Sequence, residues 1–389
     1  MKRKILRILS YVLVAVLASG ISFGVMSHAF PVTKLSQLEN LIEEQFIGDF
    51  DSVQMQDAAA DAMIRALGDK WSYYIPAAEY ASYSEQVDNS YVGIGITITA
   101  AENGKGFLVE SVNKDGPADK AGMLAGDIII SVEGNDVEGM STSEVRDLVR
   151  GKAGTSLTLT VMRQGEGINL YVTRQVVNVA VAESEMLTSE IGLVKIVNFD
   201  ARCAEETIEA IDRMLDSGVK TLIFDVRNNP GGYASELVKI LDYLLPEGEL
   251  FRSEDFAGNT SVDRSDANYL DVPMVVLVNG ESYSAAEFFA AALQEYEAAV
   301  VVGEQTVGKG YFQKTFLFDD GSAVGLSVGK YYTPKGKSLA DVGITPDYVI
   351  PVDEETAAGI YYGTVSREDD PQLQKAMEFL QELLEKKKT

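Results

Sequence analysis

The sequence predicts a multidomain chain of mixed α+β and α/β class, and three observations support this. Apolar residues recur at helical spacing near both ends, short β-type runs with glycine turns follow the first helices, and strands then alternate with helices. A chain of 389 residues that is 46% apolar can bury two or three cores. We place the boundaries at 1–30 for a basic tip and apolar anchor, 31–83 for a helical region, 84–175 for a β-rich domain, 176–352 for an α/β core and 353–389 for a C-terminal helical region.

The N-terminus carries a basic tip followed by a long apolar run. Residues 8–26 are 19 consecutive uncharged positions, close to the ~20 that span a bilayer as a helix. Because four basic residues precede them, we expect a single-pass anchor in the cell membrane, with the remaining chain on the extracytoplasmic side. A cleaved signal peptide is the alternative, for which Ala18-Ser19-Gly20 supplies small residues.

The net charge and the scarcity of cysteine and histidine exclude several classes of function. A formal net charge of −26 repels nucleic acid, which is therefore not expected as a partner. With Cys203 as the one cysteine and His28 as the one histidine, neither an internal disulfide nor a Cys/His zinc site can form. His28 lies too early to join a soluble active site, so we expect no Ser–His–Asp triad. We expect no metal and no cofactor.

The helical region is predicted from apolar residues spaced three and four apart between 35 and 67. An aromatic cluster follows, and we expect it in the core or at a seam between domains: Trp71, Tyr73, Tyr74, Tyr80 and Tyr83. The C-terminal segment 371–385 repeats the helical pattern with Leu373, Met377, Leu380 and Leu384. Segments 35–67 and 371–385 are candidate seams of a homodimer.

The β-rich domain is predicted from five short runs, at Ile94–Thr99, Gly106–Val112, Asp127–Val132, Ser156–Arg163 and Ile168–Thr173. One helix interrupts them at 141–150, where Ser141 and Glu144 form an N-capping signal. The apolar face of that helix is formed by Val145, Leu148 and Val149.

The α/β core is predicted from strands that alternate with helices, which favours a mainly parallel sheet. The predicted strands are Ile191–Val197, Thr221–Val226, Met274–Val278 and Ala299–Gly303, and the helices between them are 204–216, 233–245 and 285–297. Two further strands follow at Gln313–Phe318 and Ala323–Tyr332.

Ser284 is a candidate nucleophile because it stands between the end of a predicted strand and the start of a helix. A hydroxyl at this junction lies at the sheet edge, and the free N–H groups of the helix start suit a developing oxyanion. The alternative is a capping box, in which Ser284 and Glu287 satisfy backbone donors and have no catalytic role.

Lys309 is a candidate base because it lies between two glycines, which allow a tight loop that could fold back towards Ser284. Burial would lower the pKa of its amine and supply a neutral base. Gln313, four residues further on, could orient that amine. The alternative is an exposed lysine in a turn.

Two glycine-bearing loops complete the set of candidate segments. The stretch 221–232 runs from a strand into Gly231 and Gly232, whose N–H groups could form half of an oxyanion hole, although the pattern also fits an ordinary turn. The loop at 91–95 enters a strand whose open edge could accept a peptide. The helix at 141–150 would then supply an apolar pocket for the last side chain of that peptide.

In order and spacing, these segments resemble the C-terminal processing peptidases, the tail-specific serine peptidases of bacteria and plastids that carry a PDZ domain. The resemblance extends from about residue 35 to the C-terminus, with Lys309 lying 25 residues after Ser284. It rests on LGDKWSYYIPAAEY, YVGIGI, GPADKAGMLAGDIIISVEGNDV, FDVRNNPGG, LVNGESYSAAEF, GEQTVGKGYFQ, YYTPKGKSL and GITPDYVI. It implies a PDZ-like domain at 84–175 and a serine peptidase core at 176–352.

The resemblance also implies a role for individual residues. Ser284 would be the nucleophile, Lys309 the general base and Gln313 the residue that orients it. The implied oxyanion donors are the N–H groups of Ala285, Gly231 and Gly232. The implied carboxylate-binding loop is Tyr91, Val92, Gly93 and Ile94. One departure is Tyr283, which stands where the family usually has a small residue.

The implied activity is that of a serine endopeptidase, which recognises polypeptides with free, apolar C-termini and cleaves them with a Ser–Lys dyad. A catalytically inactive surface scaffold that binds protein C-termini is the first alternative. A different acyl-transfer enzyme on a related core is the second.

Overall fold

The computed structural model describes residues 33–87, 89–101 and 104–388. The chain divides into two compact units between Met63 and Ile64. The predicted anchor at 8–26 and His28 lie outside the described residues. Among the residues described, no helix combines the length and the apolar composition needed to cross a bilayer.

The first unit contains helix α1 (Lys34–Gln45) and most of helix α2 (Ser52–Arg65), as the apolar spacing predicted. Helix α1 begins at a capping box, in which the Thr33 hydroxyl accepts the N–H of Ser36 at 3.1 Å. Neither helix contains a buried residue. Large apolar side chains are exposed along both helices, at Leu35, Leu38, Leu41, Val53 and Met63.

In the second unit, strand β1 (Tyr73–Ile75) and helix α3 (Ala77–Val87) follow the end of α2, so the predicted helical region is interrupted by a strand. The two tyrosines and the isoleucine of β1 are residues that favour a pleated, half-buried surface, and Pro76 ends the strand. The local pattern is too short to distinguish from a helical turn, which is why the sequence did not predict this strand.

The β-rich domain follows, and each predicted strand lies within two residues of an observed one. It contains β2 (Ser90–Gly93), β3 (Ile96–Ala100), β4 (Phe107–Val112), α4 (Pro117–Lys120), β5 (Ile128–Val132), β6 (Asn135–Asp136), α5 (Thr142–Val149), β7 (Ser156–Arg163), β8 (Glu166–Thr173) and β9 (Gln175–Asn178). Its main sheet has the order β3-β4-β5-β7-β8, which leaves β3 at an edge, and β2 pairs separately with β9. Helix α5 contacts β3 beside that edge.

The α/β core contains the predicted alternation of strands and helices, together with an antiparallel hairpin that the sequence did not predict. Its elements are β10 (Ala182–Met186), β11 (Ile191–Ile196), α6 (Cys203–Asp216), β12 (Thr221–Asp225), α7 (Ala234–Leu244), β13 (Gly248–Asp255), β14 (Thr260–Ser265), β15 (Met274–Val278), α8 (Ala285–Glu295), β16 (Ala299–Gly303), β17 (Tyr311–Leu317), β18 (Ala323–Tyr332), β19 (Tyr348–Val349), α9 (Glu354–Tyr362) and α10 (Pro371–Lys388).

The main sheet of the core has the order β10-β11-β12-β15-β16-β19, and all of its pairs except β10–β11 are parallel. Strands β12 and β15 are buried along their whole length because both faces of the sheet are covered. Phe224 and Val276 pack with helices α6, α7 and α8 on one face. Ile223 and Val275 pack with α10 on the other face. The loops that leave β12 and β15 therefore emerge side by side at one edge of the sheet.

A second sheet has the order β1-β18-β13-β14, with β17 paired to β18. The β13–β14 hairpin within it was missed because its strands carry mostly polar or charged residues, with Phe251 among the few that are buried. Through β1 this sheet holds the Trp71 segment in place, since the Ser72 hydroxyl accepts the N–H of Ser327 in β18 at 3.0 Å.

Candidate active site

Ser284 lies at the junction of the β15 loop and helix α8, as the sequence predicted, and it is 9% exposed. Its φ of 59° is one that residues other than glycine seldom adopt, at a cost of about 1–3 kcal/mol. Two hydrogen bonds to the neighbouring β12 loop hold this loop in place. The N–H of Tyr283 donates to the Asn229 carbonyl at 3.1 Å, and the Ser282 hydroxyl donates to the Val226 carbonyl at 2.7 Å.

Glu287, in the first turn of α8, is fully buried and accepts four hydrogen bonds. Its Oε1 accepts the Thr306 hydroxyl at 2.6 Å and the N–H of Gly308 at 2.7 Å. Its Oε2 accepts the N–H of Ser284 at 2.9 Å and the N–H of Lys309 at 2.8 Å. Since these last two bonds end on one oxygen, the nitrogens of Ser284 and Lys309 lie no further apart than the sum of the two distances.

The Lys309 side chain lies against two aromatic rings. Its Nζ is 5.0 Å from the centre of the Trp71 ring and 5.6 Å from that of Tyr283. Burial lowers the pKa of Lys309, and the Glu287 and Asp69 carboxylates oppose this change by favouring the ammonium form. Within the described part of the chain, no hydrogen bond joins Lys309 Nζ to Ser284 Oγ. In this arrangement the Lys309 amine therefore lies against the Trp71 and Tyr283 rings.

Gln313 does not contact the Lys309 amine in the way the sequence suggested. Its amide nitrogen donates to the Ser327 hydroxyl at 3.0 Å and to the Tyr311 carbonyl at 3.3 Å. A shift in the β17–β18 register falls between Phe312 and Gln313, and Gln313 is paired across it with Ser327. This pairing directs the amide towards β18 in place of the lysine.

The predicted oxyanion segments lie in direct contact with Ser284. A Cβ atom at Gly231 would lie 2.6 Å from Ser284 Cβ, so glycine is required for this approach. The N–H of Gly231 donates to Asn229 Oδ1 at 2.8 Å. In contrast, the N–H groups of Ala285 and Gly232 donate no hydrogen bond within the residues that are described. Those two groups are therefore available to an oxygen placed at Ser284.

A second candidate site is a groove between the edge strand β3 and helix α5. The groove holds a cavity of about 170 Å³, lined by Tyr91, Gly93, Ile94, Gly95, Ile96, Ile98, Arg146, Val149 and Arg150. The carbonyls of Ile94 and Gly95 accept hydrogen bonds at 2.9 Å from Ala118 and Asn113. The N–H groups of Ile94 and Gly95 donate none within the described ranges. An apolar cavity therefore adjoins two unused donors and two guanidinium groups.

Three of the residues predicted for this groove occupy other positions. The Val92 N–H, predicted to face a peptide carboxylate, donates to Glu85 Oε1 at 3.3 Å. Val145 is fully buried in the domain core, and Leu148 packs against that core without lining the cavity. The unused donors thus begin at Ile94, towards the C-terminal end of the predicted loop. Val149 lines the cavity as predicted.

Comparison with known proteins agrees with the fold. Residues 190–350 match the model of peptidase family S41, and residues 108–163 match a PDZ domain. The carboxy-terminal processing protease CtpA of Bacillus subtilis is 34% identical over 316 residues, which cover 80% of this chain and 67% of that protein. The chain belongs to peptidase family S41.

Two further similarities place this S41 peptidase among its relatives. A Staphylococcus aureus protein named "Probable CtpA-like serine protease" is 30% identical over 350 residues, covering 89% of this chain and 69% of that protein. This S41 peptidase thus spans about two thirds of the length of both curated relatives. The solved structure of an S41 protease from Bacteroides fragilis shares the fold, with a TM-score of 0.51 at 16% identity over 87% of this chain and 93% of the other. The protein is a serine-type C-terminal processing protease.

A larger cavity of about 810 Å³ opens beside the Trp71 segment of this S41 peptidase. Its wall includes Asp69, Trp71 and Ser72, of which Trp71 lies against the Lys309 amine, and continues along β13 and β18. Within the described residues, no group of three or more His, Cys, Asp or Glu side chains could hold a metal ion. The cavity therefore opens beside a residue that contacts the Lys309 side chain.

Sequence reasoning missed three residues that shape this active site. Glu287 was considered only as a helix cap, although its position three residues after Ser284 was visible. Asn229, which fixes the Gly231 turn, and Trp71, which covers the Lys309 amine, had no spacing that indicated their roles. Their contacts join segments that are far apart in the chain. The Asn229 carbonyl accepts the N–H of Tyr283, 54 residues later, and the Trp71 ring lies 6.0 Å from that of Tyr283, 212 residues later.

Proposed function

We propose that Ser284 is the nucleophile and Lys309 the general base with which this protease hydrolyses peptide bonds, and that the PDZ domain captures the C-terminal tail of its substrate. The observation that supports the dyad most strongly is the buried Glu287 carboxylate, which binds the N–H groups of Ser284 and Lys309 through one oxygen. Since lysine has a flexible four-carbon stem, its amine can reach a neighbouring hydroxyl by side-chain rotation alone.

The reaction begins when neutral Lys309 takes the proton of Ser284 Oγ while that oxygen attacks the scissile carbonyl. The negative charge that develops on the carbonyl oxygen is stabilised by the N–H groups of Ala285 and Gly232, aided by the start of helix α8. The Lys309 ammonium then gives its proton to the departing amine. Water hydrolyses the acyl-enzyme in the same manner and restores Ser284. Gln313 reaches the amine only if its side chain leaves Ser327.

Tail capture uses the edge of β3 as a template for one more strand. The terminal carboxylate binds the N–H groups of Ile94 and Gly95, with Arg146 and Arg150 nearby. The last side chain enters the apolar cavity, whose volume of about 170 Å³ suits an apolar residue of moderate size. Polypeptides with free, apolar C-termini are therefore the substrates that fit the groove.

The location and assembly of the protein form the final part of the proposal. Residues 8–26 anchor the chain by a single pass in the cell membrane, with the catalytic core on the extracytoplasmic side. Two copies associate through the exposed apolar side chains of α1 and α2, as a homodimer. If residues 8–26 do not anchor the chain, or if the protein is a monomer in solution, the proposed location or assembly is wrong. Neither result affects the Ser284–Lys309 dyad.

The experiment compares the full-length protein with its Ser284→Ala and Lys309→Ala variants on an unfolded reporter protein. The reporter is made in two forms, one with a free apolar C-terminal residue and one ending in aspartate. We expect the wild-type protein to cleave the apolar-tailed reporter faster and both variants to lose cleavage. Retained cleavage by Lys309→Ala contradicts the dyad, whereas equal cleavage of both reporters contradicts only the role of the PDZ groove.

A further inference from the structure

The amine of Lys309 is placed between two aromatic faces that the proposed chemistry does not use. Trp71 and Tyr283 have ring centres 6.0 Å apart with an angle of 32° between their planes. Lys309 Nζ lies within 6 Å of both ring centres, the range in which a cation is attracted by the negative face of an aromatic ring. This geometry stabilises the charged form of the base in a position where it makes no hydrogen bond with Ser284 within the described part of the chain.

We propose that Trp71 and Tyr283 form an aromatic clamp that holds the Lys309 ammonium apart from Ser284 until substrate arrives. The inference rests on the proposed dyad, since Lys309 must be the base for its position to matter. Both rings are then positioning residues, because they touch the base and not the reacting carbonyl. Release of the amine from the clamp becomes a step that precedes proton transfer.

The protein backbone around the clamp is fixed, which leaves the lysine side chain as the part that moves. Glu287 holds the backbone of Lys309 at 2.8 Å. The N–H of Trp71 donates to Asp69 Oδ1 at 3.1 Å, and the Ser72 hydroxyl donates to the other oxygen of Asp69 at 2.6 Å. The base therefore exchanges partners by rotating its own stem, without a shift of either loop.

Trp71 is also not an ordinary core residue. Its ring nitrogen Nε1 is buried and has no hydrogen-bond partner among the residues described, which costs about 1–3 kcal/mol for a buried donor. A purely structural tryptophan usually finds a partner for this group when it is buried. The Trp71 side chain thus presents its aromatic face to Lys309, and the hydrogen bond that its N–H group would usually make is lost.

Several charged or titratable groups surround the clamped amine or the rings that hold it. The Glu287 and Asp69 carboxylates favour the ammonium, while burial disfavours it. Tyr283 supplies one ring, and burial raises the pKa of its hydroxyl. Lys70 Nζ lies over the Trp71 ring at 4.8 Å and is paired with Asp341 at 3.5 Å. A test of the clamp must therefore separate the contribution of Lys309 from that of Lys70.

Trp71 is the single tryptophan of the chain, so its fluorescence reports on the clamp without background from other tryptophans. We would record this fluorescence in full-length Ser284→Ala protein between neutral pH and about pH 9.5, below the usual tyrosine pKa of about 10. The same titration is made with two double variants, in which either Lys309→Met or Lys70→Gln is added to Ser284→Ala. We expect a single transition as Lys309 loses its charge, absent in Lys309→Met and retained in Lys70→Gln. An unchanged transition in Lys309→Met would overturn the clamp.

A second measurement uses the rate at which a fluorophosphonate labels Ser284 in the absence of substrate. Trp71→Leu removes the stronger ring and should raise this rate about fivefold, and Trp71→Phe, which keeps an aromatic face, should restore a rate near that of the wild type. Equal rates in all three proteins would overturn the clamp, with circular dichroism used to check that each is folded. If Lys309→Met instead labels as fast as the wild type, the dyad itself fails, and the two failures are distinguishable.

Discussion

The catalytic centre and the PDZ groove both present unpaired N–H groups beside a cavity. The surroundings of these groups are polar in the centre and apolar in the groove. At the catalytic centre the buried carboxylate of Glu287 accepts four donors, and among the described residues the N–H groups of Ala285 and Gly232 have no acceptor. In the groove, no carboxylate within the described part of the chain binds the N–H groups of Ile94 or Gly95, and the walls are largely apolar. The centre is thus organised before substrate binds, whereas the groove is completed by the ligand.

This difference predicts where substitutions will do most damage. Polar groups buried together are costly to disrupt because each one that loses its partner retains its desolvation penalty. An apolar groove open to solvent loses only contact area and local charge complementarity. Substitutions in the catalytic centre should therefore affect rate and stability together, while those in the groove should affect substrate affinity alone.

The largest effect is expected for Glu287→Ala. The Lys309 loop loses its link to α8, and a displacement of about 1 Å between reacting groups can reduce the rate ~100-fold. We therefore expect kcat/KM to fall at least about 100-fold, measured with a tailed reporter. The free energy of unfolding should also fall, by about 3 kcal/mol, because several buried donors lose their acceptor.

The matched control is Glu236→Ala. Glu236 occupies the same first-turn position in α7, is 4% exposed and accepts the N–H of Ala204 at 3.3 Å. Glu236→Ala should destabilise the protein without displacing the Lys309 loop, so its kcat/KM should fall much less than that of Glu287→Ala. Similar losses for both variants would show that Glu287 acts only through stability.

Arg227→Met should give the next largest effect, on stability. Arg227 is paired with Asp225 at 2.7 Å and with Asp370 at 2.8 Å, and none of the three side chains is more than 9% exposed. Removing the cation leaves two buried carboxylates unpaired, which typically costs about 3–5 kcal/mol. Urea unfolding should show this loss. Arg213→Met, which removes an exposed pair with Glu209, should cost less than about 0.5 kcal/mol.

Ile98→Asp should weaken tail binding by about tenfold, since it removes apolar wall and places a negative charge near the bound carboxylate. Fluorescence polarisation of a labelled peptide with a free apolar C-terminus would measure the affinity. The neighbouring Thr97→Asp is the control, because Thr97 is exposed and lies outside the cavity. Ser284 labelling should be equal in both variants. If Ile98→Asp also loses Ser284 labelling, the groove and the catalytic centre are not independent of each other.

The smallest effect is expected for Asp69→Asn, and it concerns pH. The Asp69 carboxylate favours the Lys309 ammonium, so its removal should lower the pKa of Lys309 further. Because only the neutral amine is a base, activity is lost as the pH falls through that pKa, and the acid limb of kcat/KM should move to lower pH. Asp255→Asn, in the same large cavity, should leave the limb unchanged. Movement of the acid limb to higher pH would contradict the claim that the Asp69 carboxylate raises the pKa of Lys309.

The strand and helix alternation of the core was predictable because β12 and β15 are buried on both faces and form continuous apolar runs. The short strands of the β-rich domain were predictable from the glycine turns between them, whereas its PDZ character was implied by the family resemblance. The β13–β14 hairpin was not, because its polar strands are determined by pairing with β18 and carry little local signal. Tertiary pairing also placed the three residues of β1 in a strand.

The site was predicted as far as local motifs extend. Ser284 and Lys309 each stand at a recognisable loop, and the structure brings both loops to one carboxylate. The position of the Lys309 amine could not be predicted, since it depends on Trp71, which lies 212 residues before Tyr283 in the chain and meets it only in the folded protein. The partner of Gln313 depended in the same way on a bulge in β17.

The most direct test of the Ser–Lys dyad is the pH dependence of Ser284 labelling by a fluorophosphonate, with the labelled residue identified by peptide mapping. In the wild-type protein the labelling rate should rise with pH until Lys309 is neutral and then level off. In Lys309→Met that rise should be absent and the rate low throughout. Labelling of Ser284 at equal rates in both proteins, at every pH, would contradict the dyad.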